Sequence, residues 1–271
     1  MSIPSSKNTT INQDYQPHAN GLQQRVIAVT GAGDGIGRCI AITLAHHGAT
    51  VILLGRTLAK LEAVYDTIEA NKNTNDSNSD TRPVIVTIDF ATAGEDEYKS
   101  IAESIDNTFG KLDGLIHNAA ELGSRTSINT YRMDTWERLM RVNVNAPFAL
   151  TKYCLPLLQK SDSASILFTG SSVGIQGRAY WGAYAASKAA NENMMQTLAD
   201  ELKDTSNIRV NSINPGATRT AMRAEAFPAE DPNTVKVSDS LMPLYLFLMH
   251  HDSIDITGQQ FSYANINQRT T

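Results

Sequence analysis

Arg25-Val-Ile-Ala-Val-Thr30 runs without a break into Gly31-Ala-Gly-Asp-Gly-Ile-Gly37, and this stretch decides the fold. The β-branched run predicts a strand, the glycines a tight turn, and the apolar spacing Ile36, Ile40, Leu44, Ala45 a helix from Gly35 to His47. A glycine-rich turn between a buried strand and a helix lets backbone come close to a pyrophosphate, while the helix N-terminus turns free N–H groups toward its charge. The alternation continues down the chain. Strands are expected at Val51-Ile-Leu-Leu54, Val84-Ile-Val-Thr-Ile88, Gly114-Leu-Ile116, Ser165 to Thr169, Arg209 to Ile213 and Gln259 to Phe261, with helices between them, the second over Leu58 to Ala70. Such alternation predicts an α/β fold: one doubly wound parallel sheet of about seven strands, joined by right-handed crossovers and flanked by helices.

A chain of 271 residues suits a single α/β domain, and a formal net charge of −5 with no block of Lys and Arg excludes nucleic acid and anionic membrane as expected partners. No run of roughly 18 apolar residues predicts a spanning helix. Residues 1–24, rich in Ser, Asn, Thr and Gln and without the apolar stretch of a signal peptide, read as a disordered polar tail, leaving 25–271 as one domain. Asn71 to Asp80 is equally polar and reads as a surface insertion. Cys39 and Cys154 fall in separate expected helices without metal-like spacing, which fits a reducing cytoplasm and predicts no metal site.

Tyr184-Ala-Ala-Ser-Lys188 places a phenol and an ammonium one helical turn apart on one face. An ammonium beside a phenol favours the phenolate, so the Tyr184 pKa is expected to fall from its ordinary value near 10 toward the range useful for proton transfer. Upstream, Ser171 stands in Ser165-Ile-Leu-Phe-Thr-Gly-Ser-Ser-Val-Gly174, a buried apolar strand ending in small polar residues. Strand ends of this kind hold the ligands of open α/β sheets. Asn143 lies further upstream in Arg141-Val-Asn-Val-Asn-Ala-Pro147. Taken in order from about Arg25 to Gln260, these motifs strongly resemble the short-chain dehydrogenase/reductase family. Trp181-Gly-Ala-Tyr-Ala-Ala-Ser-Lys188, Asn214-Pro-Gly-Ala-Thr-Arg-Thr-Ala-Met-Arg223 and Ala226-Phe-Pro-Ala-Glu-Asp-Pro232 are similar to the bacterial YciK-type oxidoreductases within it.

The resemblance implies a Rossmann-type sheet in the order 3-2-1-4-5-6-7 and an NAD(P)-dependent oxidoreductase (EC 1.1.1.-) that interconverts a small-molecule carbonyl and a secondary alcohol by hydride transfer. On the family pattern Tyr184 is the acid/base. Lys188 lowers its pKa and binds the nicotinamide ribose, Ser171 donates to the substrate oxygen, and Asn143 holds a water in the proton relay. Ser172 is the neighbouring candidate, but the family spacing to the tyrosine favours Ser171. The turn Gly31, Gly33, Asp34, Gly35, Ile36, Gly37 takes the pyrophosphate, with Gly31, Gly35 and Gly37 at the family's three glycine positions. Asp89, with Phe90 beside it, takes the adenine. Asn118 and Ala119 match the family's Asn-Asn-Ala-Gly motif, from which His117 and Ala120 depart. Pro215 and Gly216 meet the nicotinamide, and Thr218 and Thr220 its carboxamide. A cytoplasmic homodimer or homotetramer is implied as well.

The second strand ends Leu53-Leu54-Gly55-Arg56. Gly55 stands where NAD enzymes carry an acid for the ribose 2′-hydroxyl, and Arg56 follows where a guanidinium can hold a 2′-phosphate with two bonds, so NADP(H) is favoured over NAD(H). Asp34 tempers that preference, because the family's NADP members often have a basic residue there.

The alternative from another class is an NADP(H)-binding regulatory or scaffold protein without turnover. Such proteins typically lose the tyrosine or lysine, whereas this chain keeps all four catalytic positions. Specificity is expected in Glu121 to Thr130 and Met222 to Ser238; Arg125, Arg219 and Arg223 in or beside them read as solvent-facing, with an acidic substrate as the other reading. His46-His47 and His250-His251 read as capping or solvent-exposed helix ends, and Leu244-Tyr-Leu-Phe-Leu-Met249 as core or subunit interface.

Overall fold

Strands with apolar residues on both faces demand cover on both faces, and the chain supplies it. In the computed structural model, which describes residues 15–17, 21–71 and 82–263, seven strands form one wholly parallel sheet: β1 (Val26–Thr30), β2 (Thr50–Gly55), β3 (Val84–Thr87), β4 (Gly114–His117), β5 (Ala164–Thr169), β6 (Ile208–Asn214) and β7 (Gln260–Ser262). Their order is β3-β2-β1-β4-β5-β6-β7, as the family resemblance leads one to expect. The helices are α1 (Gly35–His46), α2 (Leu58–Ala70), α3 (Glu95–Phe109), α4 (Met133–Met140), α5 (Ala146–Leu158), α6 (Ser172–Ile175), α7 (Gly182–Leu202), α8 (Ala221–Ala226) and α9 (Met242–Met249), with a widened π-type turn at Arg141–Asn145.

The period-2 alternation of the strands divides the core. Val26, Ala28, Ile52 and Leu54 face one layer, packed with residues of α3, α5 and α7. Ile27, Val29, Val51 and Leu53 face the other, packed with α1, α2 and α9. Each such fully buried aliphatic side chain contributes roughly 1.5–3 kcal/mol against the entropy of ordering the chain. Strand order reverses between β1 and β4, so a crevice opens at their C-terminal ends. There Thr30 Oγ1 accepts from the backbone N–H of Asn118 at 2.9 Å and of Ala119 at 3.0 Å, fixing the two strand ends side by side.

One expectation changes, and two open readings resolve. The polar tail does not extend to residue 24: Leu22 is fully buried and its N–H donates to the His47 carbonyl at 3.0 Å, because the turn before β1 closes the α1 layer. Tyr15 is also docked, its phenol donating to Asp252 at 2.8 Å and its ring meeting Phe247 edge-on at 5.2 Å. Residues 1–14 and 18–20, and all of the expected insertion Asn71 to Asp80 but its first residue, lie outside the described residues. Of the two readings of Leu244 to Met249, core holds and subunit interface does not: Leu244, Tyr245, Leu246, Leu248 and Met249 are buried within the core of the chain itself. His250 takes the capping reading: it is buried at the end of α9 and its Nδ1 accepts from Asp252 N at 3.3 Å. Among the described residues no helix is long and apolar enough to cross a membrane.

Candidate active site

One cavity of about 850 Å³ opens at the crevice. Every residue that the sequence marks for the site lines it except Gly37 and Asn143. Both lie just behind the wall. A Cβ on Gly37 would fall 2.2 Å from the Gly31 carbonyl oxygen and 2.5 Å from Asn118 Nδ2, so only glycine lets α1 approach β1 this closely. Gly31 itself has φ 67°, and a Cβ there would meet the Ala119 backbone at 3.0 Å. With side chains excluded from the turn, the backbone N–H groups that begin α1 are open to an anion, and a dinucleotide pyrophosphate fits this cradle. Asp34 caps the helix: its carboxylate accepts from Gly35 N at 2.7 Å. It also pairs with Lys60 at 2.5 Å, which holds the Asp34 carboxyl below its ordinary range.

Arg56 lies 60% exposed at the rim, 3.4 Å from Glu121, whose carboxylate is already gripped by two bonds from Arg138 at 2.7 and 2.9 Å. Lys60, which the sequence reading passed over, lines the cavity with it. Its place in the first turn of α2, directly after the strand end that carries Arg56, was the available signal. Gly55 is constrained too, because a Cβ there would press on buried Leu61 at 3.2 Å. Asp89 accepts from Ala91 N at 3.0 Å, and Phe90 is mostly buried, its ring stacked at 6.5 Å on Tyr98. His117 takes the place of the family's asparagine as a core residue: its Nε2 pairs with Thr151 Oγ1 at 2.9 Å, and burial pushes its pKa down to about 3.

Tyr184 and Lys188 stand on α7 one turn apart, as their spacing requires, and Ser171 caps the short helix α6 facing them. Ser171 lies close enough to the Tyr184 phenol to lower its pKa; Ser172 beside it is exposed. Lys188 is nearly fully buried beneath α6, where Gly174 packs so closely that a Cβ would sit 2.8 Å from the Lys188 Cβ. The electrostatics correct the expectation drawn from spacing alone. Burial pushes the Tyr184 phenol up to about 12 against the lowering effect of Ser171, and burial pushes the Lys188 ammonium down to about 8. Lys188 Nζ sits 5.6 Å from the centre of the Tyr184 ring and spends its hydrogen bond on the Thr169 carbonyl.

Asn143, in the π-type turn, is fully buried and its side chain is committed: Oδ1 accepts from Glu121 N at 2.8 Å, and Nδ2 donates to the Glu121 carbonyl and to Ser187 Oγ, each at 3.0 Å. Its carbonyl accepts from Asn191 Nδ2 at 2.8 Å. The residue thereby ties the loop after β4 to α7. Gly216 is held in the turn after β6 by Asn214 Oδ1 at 3.0 Å, Thr218 is buried, and Thr220 caps α8 by accepting from Arg223 N at 3.1 Å.

At the far end Arg223 departs from the solvent-facing reading: it is half-buried, covers Phe227 at 3.7 Å and is paired with Glu230. Arg125 and Arg219 are exposed as expected, though Arg125 rests against the rings of Trp181 and Phe227 at 4.6 and 4.9 Å. The candidate metal group among the described residues, His250, His251 and Asp252, lies away from the cavity, and its carboxylate already takes the Tyr15 phenol.

Residues 25–231 match the family model described as short chain dehydrogenase. The chain is 50% identical over 247 residues to the Escherichia coli protein called uncharacterized oxidoreductase YciK, covering 91% of this chain and 94% of that protein. It is 28% identical over 248 residues to a cyclohexanol dehydrogenase of an Acinetobacter species, covering 90% and 94%. A short chain dehydrogenase of Escherichia coli CFT073 crystallised with NADPH superposes with a TM-score of 0.84 at 49% identity, over 91% of this chain and 99% of that one.

Proposed function

We propose that this chain, which belongs to the short-chain dehydrogenase/reductase family and is an oxidoreductase of it, interconverts a small-molecule carbonyl and its alcohol with NADP(H), Tyr184 moving the proton. The observation that carries this reading is the convergence of Ser171, Tyr184 and Lys188 on the cavity that the glycine turn also lines. NADP(H), when bound, supplies or accepts the hydride at its nicotinamide. Everything else falls to the chain. A phenol held near 12 keeps its proton at neutral pH, so Tyr184 enters the reductive direction as the acid form. Ser171 donates to the substrate oxygen as charge gathers on it and orients that oxygen toward the phenol. Lys188, charged at neutral pH with a pKa of about 8, holds a positive field behind the phenol while anchored to Thr169. Asn143 acts at one remove, positioning α7 through Ser187 and Asn191.

Support for NADP(H) comes from Arg56 and Lys60 at the rim, from Gly55 in place of an acid, and from the NADPH-bound E. coli CFT073 neighbour. The reading extends to residues 25–271 as one catalytic domain that works in the cytoplasm as a homodimer or homotetramer. Exposed Met133 on α4 and Phe148 on α5 offer an apolar face for assembly.

The test is NADPH consumption across a panel of aldehydes and ketones, with Tyr184→Phe as the blank. Tight NADPH binding without turnover of any carbonyl would overturn the reading.

A further inference from the structure

Arg125, an exposed side chain, lines the substrate end of the cavity. Its guanidinium rests against two neighbouring rings, Trp181 at 4.6 Å and Phe227 at 4.9 Å, whose centroids are 5.9 Å apart, and one N–H donates to the Ala226 carbonyl. Cation–π contact with both rings holds the group in place and leaves its other N–H donors open to the cavity. A guanidinium carries five N–H donors, and no carboxylate pairs with this one among the described residues. Arg223, by contrast, is closed off by two bonds from Glu230 at 2.5 and 2.6 Å.

The charge along the cavity is uneven. Its lining carboxylates, Asp34, Asp89 and Glu121, sit beside β1, β3 and the base of the loop after β4, and Asp34 and Glu121 are paired with Lys60, Arg56 and Arg138. Past Tyr184 the wall holds Arg125 and Arg178 and no acid. The Trp181 ring lies 5.8 Å from that of Tyr184, so a single indole separates the proton donor from the unpaired guanidinium.

We propose that Arg125 recognises an anion on the substrate, and that the natural substrate is an aldehyde or ketone, or the matching alcohol, bearing a carboxylate about one ring-width from the reacting carbon. The proposal rests on the oxidoreductase reading above and adds the substrate class to it. A carboxylate fits the fork of the guanidinium with two parallel bonds, and the rings of Trp181 and Phe227 take a flat apolar spacer.

The probes are 4-formylbenzoate and its neutral counterpart 4-formylbenzamide, which share the aldehyde and differ only at the far end. With saturating NADPH, kcat/KM for the acid is expected to exceed that for the amide by about tenfold or more, the usual size of one charge-assisted contact. Arg125→Gln should bring the ratio close to one, and Arg125→Lys should keep part of it. If Arg125 only ties its loop to α8, both substrates slow together and the ratio stays. A wild-type ratio near one, or a ratio untouched in Arg125→Gln, overturns the proposal and leaves the oxidoreductase reading standing. If neither aldehyde is reduced, that reading is the one in trouble, and binding decides the anion question. Tryptophan quenching by terephthalate should then show about tenfold tighter binding than by terephthalamide in the NADP⁺-saturated protein, and lose it in Arg125→Gln. Equal binding overturns the proposal.

Discussion

Lys188 Nζ donates to the Thr169 carbonyl at 2.8 Å, so the cation beside Tyr184 is fixed to the end of β5 and not to the phenol. Its burial has a consequence for stability. The folded protein releases this proton at about 8, whereas the unfolded chain holds it to an ordinary 10.5. Between those values the unfolded state binds more protons, so stability rises with pH. Relative to Lys188→Met, the wild type should gain about 1.4 kcal/mol per pH unit at most, and about 3 kcal/mol in all. Tyr184 has a raised pKa and so contributes stability below its unfolded value of 10.0, losing it only above that, which leaves pH 8–10 to the lysine. The buried thiols of Cys39 and Cys154 cancel in the comparison. Urea unfolding of both proteins without cofactor at pH 7, 8, 9 and 10 tests this; a difference that stays flat with pH refutes it.

Tyr184→Phe removes the transferable proton but keeps the ring that packs against Trp181. On any substrate found by the panel, kcat should fall by about 10²–10⁴-fold, the range expected for a positioned proton donor. NADPH affinity should stay within a few-fold. Comparable kcat in the variant ends the assignment.

Gly37→Ala sets a Cβ against the backbone oxygen of Gly31 at 2.2 Å, where no flexible side chain can yield. Helix α1 must then move off β1 and distort the phosphate cradle. The expected cost is about 1–3 kcal/mol of stability with loss of NADPH binding. Gly33→Ala is the milder comparison, since its Cβ would come no closer than 3.0 Å to the Lys60 Cβ and would otherwise make ordinary contacts at 3.6 Å. Thermal unfolding and NADPH titration of the pair should separate them; equal behaviour would show that the turn tolerates side chains at both positions.

The features that were legible in the sequence are local in the chain. The run from Arg25 through Gly37 spells strand, turn and helix within one short window, and repetition of that unit carries the parallel sheet, while the strand order came from the family resemblance. Tyr184 and Lys188 share a face because helical spacing makes them do so. What escaped depends on residues far apart or on burial. Arg125, Trp181 and Phe227 meet only because the loop after β4, the start of α7 and the end of α8 converge, and no spacing rule links 125 to 227. Leu22 sits in a polar stretch, so its place in the core follows from the docking of the turn onto α1. The Tyr184 pKa was read from its neighbour, but the surrounding protein desolvates the phenol and the nearest ammonium points elsewhere.

Cofactor choice turns on how three charges at the rim are arranged. Asp34 would repel a 2′-phosphate if its charge were free, but it caps α1 and is paired with Lys60 at 2.5 Å. Arg56 is only loosely engaged, 3.4 Å from a glutamate that Arg138 already holds, and can turn toward a phosphate at little cost. NADPH should therefore bind more tightly than NADH by roughly 1.5–3 kcal/mol, the worth of a charge-assisted bond, or about ten- to hundredfold. Arg56→Ala should erase most of that gap and leave NADH almost unchanged. Lys60→Ala should cost NADPH more than Arg56→Ala does, since it removes one cation and uncovers the Asp34 carboxylate together. Asp34→Asn should have the opposite sign: asparagine still caps the helix, the negative charge is gone, and Lys60 is released to the phosphate. Parallel titrations of NADPH and NADH on the four proteins measure all of this, and the reading fails if the wild type binds NADH as tightly as NADPH, or if Asp34→Asn weakens NADPH selectively.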